Sequence, residues 1–107
     1  MGAALVLAGG VLGTRSSPVV LTAPSRARTG NPVTLSASVE DSVGAIARVE
    51  FYEGATLIDS KDVAPYETSW TPASAGVYHL AARAVDAHGK SALSRVARVT
   101  AHEASGR

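Results

Sequence analysis

Ala47-Arg48-Val49-Glu50-Phe51-Tyr52-Glu53-Gly54 sets apolar Val49 and Phe51 between charged Arg48 and Glu50. That is the period of a half-buried β-strand, and Glu53-Gly54 closes it in a turn. Phe51 is the single phenylalanine of a 107-residue chain with one tryptophan and three tyrosines. A core has few large rings to form around, so Phe51 belongs near its centre. The spacing predicts a strand in the middle of a sheet, with Arg48, Glu50 and Tyr52 on its exposed outer face.

The neighbouring stretches follow the same rule. Pro32 to Glu40 places Val33, Leu35, Ala37 and Val39 on one face and Thr34, Ser36, Ser38 and Glu40 on the other. Tyr66, Thr68 and Trp70 share a side, and Gly76 to Asp86 sets Tyr78, Leu80, Ala82 and Ala84 against Val77, His79, Ala81 and Arg83. Phe51, Trp70, Tyr78 and Leu80 are the expected core anchors. Thr56 to Ser60 reads as the return arm after Gly54, with Leu57 pointing inward. Val19 to Ala23 reads as an edge strand closed by Pro24, which lacks an amide proton, and Ser25 to Pro32 as turn. Thr71 to Gly76 is expected to cross between sheets, and Asp86 to Gly89 to form a hairpin turn. In a last strand, Ser91 to His102, Val96 and Val99 fall out of phase, which a β-bulge reconciles.

No segment sustains the i, i+3, i+4 pattern of a helix. The reading is therefore all-β: a sandwich of about seven antiparallel strands in two sheets, without a disulfide. Residues 18–102 form the domain and 103–107 a polar C-terminal tail. Residues 1–17 read as a disordered tail. Their apolar run Met1 to Gly13 is shorter than the about 20 residues of a membrane helix and lacks the basic start of a secretory signal, so it is signal-like or an appended remnant.

Ten lysines and arginines against nine acids give a net charge of +1, with the signs interspersed. Nothing here resembles the basic field that a phosphate backbone requires, so nucleic acid is not an expected partner. The absence of cysteine removes disulfides, thiolate zinc sites and thiol nucleophiles. His79, His88 and His102 fall on a strand face, a hairpin tip and the domain end, and no serine sits on a strained glycine-flanked elbow. The chain is read as not an enzyme and as needing no cofactor. Zinc would need three or four convergent ligands, which the scattered histidines do not supply; calcium fits better, because Glu40 and Asp41 occupy one loop and Asp86 another, and loop oxygens suit calcium, although the ion takes six or more. The simpler role of Asp41 and Asp86 is turn formation. Sugar sites usually stack on exposed rings, and strand parity leaves Tyr52 as the outward one.

The order of these residues resembles the bacterial immunoglobulin-like domains, tandem modules of secreted enzymes and surface proteins. The likeness runs from Val33-Thr34-Leu35-Ser36-Ala37 through Val49-Glu50-Phe51-Tyr52 with Gly54, then Ala64-Pro65-Tyr66 and Trp70. It ends with Gly76, Tyr78, Leu80, Ala82, Ala84, Asp86 and Gly89. Glu53 departs from the usual Asp before the turn glycine, and Lys90 from the usual Asn after Gly89. The resemblance implies an immunoglobulin-like sandwich acting as a non-catalytic spacer or adhesion module of a secreted or cell-surface protein, monomeric and without a membrane span. Its partners would be neighbouring domains of a parent chain, a polysaccharide or a cell-surface protein. The alternative is a carbohydrate-binding accessory module of a secreted glycoside-degrading enzyme.

Overall fold

A computed structural model describes residues 18–40 and 45–104. Nine strands follow in order: β1 Val19–Thr22, β2 Arg26–Arg28, β3 Val33–Val39, β4 Ile46–Glu53, β5 Thr56–Lys61, β6 Tyr66–Trp70, β7 Gly76–Asp86, β8 Ser91–Leu93 and β9 Ala97–His102. They form two sheets. The smaller is ordered β1-β3-β6; the larger is β2-β9-β7-β4-β5, with β8 also paired to β7. All pairings are antiparallel except β2 with β9. The sandwich is as expected, with nine strands rather than about seven and one parallel pair.

The inner faces are those that alternation marks. Leu35, Val49, Phe51, Leu80, Ala82, Ala84 and Val99 are inaccessible to solvent, and Trp70 is 7% exposed. Tyr78 lies half-buried against them, its ring edge-on to Trp70 with centroids 5.0 Å apart. Its hydroxyl donates to the Ser74 carbonyl at 2.7 Å, which pins the loop that carries the chain from β6 in one sheet to β7 in the other. The four anchors read from the sequence thus meet in one core.

Four local readings change. Arg26–Arg28 is a strand rather than part of a turn: after Pro24 the chain leaves the smaller sheet and lays Ala27 beside Ala101 of β9. Three residues flanked by Pro24 and Gly30-Asn31-Pro32 give alternation too little length to outweigh turn chemistry. Leu57 is 51% exposed. The β4–β5 register shifts between Phe51 and Tyr52, so that Phe51 faces Asp59 and Tyr52 faces Leu57. Ile58 is the extra residue, and it packs against the core in Leu57's place.

The last expected strand is split. Arg83 faces Leu93 and Leu80 faces Ala97, so Ser94, Arg95 and Val96 stand opposite only Ala81 and Ala82. This is the bulge that the phase of Val96 and Val99 required. Ser94 holds it from within, its amide donating to the Ala82 carbonyl at 2.8 Å and its hydroxyl accepting the Ala82 amide at 2.9 Å. Finally, Glu103 and Ala104 are not a loose tail: Arg28 donates to the Glu103 carbonyl and the Ala104 amide donates to Thr29. Residues 1–17 and 105–107, and the reading of them as tails, lie outside the described residues.

The two ends of the domain lie at opposite poles. β1 begins beside the end of β3, with the Glu40 amide donating to the Pro18 carbonyl at 2.9 Å. β9 ends beside Arg28 and Gly76, at the far end of β7 from Asp86. The span between the poles is the length of β7, whose 11 residues extend roughly 36 Å at ~3.3 Å each.

Candidate functional site

The outer face of the larger sheet carries a polar cluster centred on β4. Arg48, Glu50 and Tyr52 point to the same side because they are two residues apart, and Arg83 of β7 lies directly across from Glu50. The Glu50 carboxylate accepts three hydrogen bonds: from Arg48 Nε at 2.8 Å, from Tyr52 Oη at 2.8 Å and from Arg83 Nε at 2.9 Å. The Arg83 guanidinium also stands 5.9 Å from the Tyr52 ring centre.

Glu50 is therefore not exposed as expected. It is 7% accessible, roofed by three long side chains whose outer parts remain in water. Burial alone would push its carboxyl up, but the bonds from Arg48, Tyr52 and Arg83 outweigh that and hold it below the usual glutamate range. Tyr52 shifts the opposite way, because its hydroxyl donates to a carboxylate and so holds its proton more tightly. The arginines are 44% and 39% exposed. Only Nε of each is committed to Glu50, which leaves the terminal amino groups, the fork that grips carboxylates and phosphates, without a bond to that carboxylate.

Of the calcium candidates, Glu40 and Asp86 are described. Glu40 and Asp86 lie at the same pole, since Glu40 follows β3 and Asp86 pairs with Ile46 at the start of β4. Asp41 lies outside the described residues. Asp86 is engaged in its own turn, its Oδ1 accepting the amides of His88 at 2.8 Å and Lys90 at 2.9 Å, while Gly89 takes a φ of 85°. Burial would raise the Asp86 carboxyl, yet those two amides bring it below the ordinary value. Among the described residues no three of His, Asp and Glu come close enough to hold a metal, and His79, His88 and His102 are exposed and apart.

A second carboxylate links the sheets. Asp59 of β5 faces inward and accepts a 2.6 Å hydrogen bond from Thr68 of β6, with the Ser60 amide on its other oxygen and Lys61 at 3.6 Å. The Thr68 bond first, then the Ser60 amide, lowers its pKa. Nothing in the local sequence marks it, because the register that turns Asp59 inward depends on the bulge at Ile58.

Comparison with known families matches the bacterial Ig domain to residues 18–82. The chain belongs to the bacterial Ig domain family. Among solved structures, this bacterial Ig domain is similar to the fibronectin(III)-like modules of Clostridium thermocellum CbhA, with 35% identity and a TM-score of 0.73, covering 83% of this chain and 99% of that one. It shares its fold alone with the sulfur carrier protein SoxY from Chlorobium limicola f thiosulfatophilum, at 19% identity, a TM-score of 0.61 and coverage of 94% and 98%. No curated protein matches it. Ig-like and fibronectin(III)-like domains are generally non-catalytic modules, typically of extracellular or surface proteins, and no helix among the described residues is long and apolar enough to cross a membrane.

Proposed function

We propose that this bacterial Ig domain is a non-catalytic spacer of an extracellular or surface protein, holding the domains before and after it apart. The observation that carries the reading is the placement of the two ends at opposite poles, one beside Glu40 and one beyond His102. A chain that enters at one pole and leaves at the other adds the full length of the sandwich between its neighbours, whereas ends at one pole would fold them together. The ties from Arg28 and Thr29 to Glu103 and Ala104 extend this direction past the last strand. Adhesion, the finer reading, would use a face of the same rigid body.

The test is small-angle scattering from one copy and from two copies joined end to end. The maximum dimension is expected to grow by roughly 36 Å with the second copy, from the ~3.3 Å rise over β7. A two-copy chain little longer than one copy would overturn the spacer.

A further inference from the structure

The outer face of the larger sheet carries a charge pattern that a net charge of +1 conceals. Arg48 of β4 is level with Val85, and Arg83 lies two residues further along on β7. Arg98 of β9 is level with His79. On β2, Arg26 is level with Thr100 and hence with Val77, and Arg28 with His102. Each step moves one strand across or further down the sheet, so the five arginines form a diagonal stripe over β4, β7, β9 and β2. With strands ~4.8 Å apart and a rise of ~3.3 Å per residue, the stripe runs about 36 Å.

Glu50 is the one carboxylate among the strand residues on this side; Glu53 falls on the Phe51 side of β4, level with Leu80, Asp59 points to the other sheet and Asp86 is held in its turn. Glu50 is buried and acts on the two arginines beside it rather than on solvent. It fixes both guanidiniums through Nε, and the two arginine side chains stay 44% and 39% exposed. Arg26 and Arg98 are exposed and have no ion-pair partner among the described residues.

We propose that this stripe is a docking surface for a linear acidic polysaccharide, whose repeated carboxylates are taken in turn by Arg48 and Arg83, Arg98, and Arg26 with Arg28. Charge complementarity requires a polyanion, and the diagonal line on an open sheet requires an extended one. Single-stranded nucleic acid also fits a cationic line, but its binding draws on successive aromatic rings for the bases. This face has Tyr52 alone, its hydroxyl tied to Glu50; Trp70 and Phe51 are in the core, with Tyr66 and Tyr78 packed on it. The surface is independent of the spacer reading and survives its failure.

The experiment is affinity electrophoresis of the intact domain in gels containing polygalacturonate, with dextran as the uncharged polymer and oligothymidylate as a competitor. Retardation by polygalacturonate but not dextran is expected, weakening as salt is raised. The double variant Arg26→Gln/Arg98→Gln removes no described ion pair and should weaken retardation at least tenfold with the melting temperature unchanged. Arg83→Gln should weaken it as well. Equal retardation by dextran, none by polygalacturonate, full retention in the double variant, or stronger competition by oligothymidylate than by free polygalacturonate would each overturn the proposal. So would capture of an acidic protein standard, such as a polyglutamate, with equal strength.

Discussion

Replacing Trp70 by alanine empties the space on which the Tyr78 ring rests edge-on and which the inner faces of both sheets enclose. In so small a core the loss should be roughly 3–5 kcal/mol, measured by urea denaturation. A loss under about 1 kcal/mol would mean that the ring contributes little to the core. Ser94 is small, yet it supplies both an amide and a hydroxyl to Ala82. Ser94→Ala leaves the buried Ala82 amide without its acceptor and should cost about 1–3 kcal/mol in the same assay. Glu50→Ala is expected to cost less, about 1 kcal/mol, because Arg48 and Arg83 are half exposed and rehydrate. A double-mutant cycle with Arg83→Ala isolates the coupling.

At the scale of elements, β5 and β6 are edge strands of different sheets joined by the Asp59–Thr68 bond. The Asp59 pKa is lowered in the folded domain. Its contribution is thus complete above the unfolded value of about 3.9 and is lost as pH falls through the lower folded value. Glu50 and Asp86 act in the same direction. The melting temperature should fall on acidification below about pH 4, and Asp59→Asn should flatten that fall while lowering the plateau above it. An unchanged slope in the variant would exclude the stitch from acid sensitivity. The long strands were legible because β3, β4 and β7 each repeat apolar and polar residues over enough positions to fix a face. β2 was not, being three residues between turn formers, and with it went Arg26 and Arg28, two of the stripe's five arginines. Alternation alone sets Arg48, Glu50 and Tyr52 on one face, but Glu50's burial leaves no mark in the local sequence: it depends on Arg83, which is 33 residues away and comes level only through the β4–β7 register. Leu57 faces outward against simple alternation because the inserted residue at Ile58 reverses parity without leaving a mark in composition.

For the whole molecule, the nearly balanced charge is the sum of unlike faces. Among the described residues Glu67 sits on the smaller sheet, Asp59 between the sheets, Asp86 at a turn and Glu50 buried under its arginines, while the larger sheet shows arginine to solvent. Net charge therefore gives a fair account of solubility and a poor one of partners. The parallel pairing of β2 with β9 has another consequence. Tension between the two poles pulls these strands past one another, and the three register pairs and the flanking bonds from Thr29 to His102 and from Thr100 to Ser25 resist together. Force applied at Pro18 and Ala104 should thus unfold the domain at a higher threshold than force applied at Pro18 and Gly89, which share a pole and open the sheets bond by bond. Single-molecule extension through the two attachments measures the difference, and equal thresholds would show that β2 bears no load. A segment of three residues, too short to be seen as a strand, then acts as the latch of a tether.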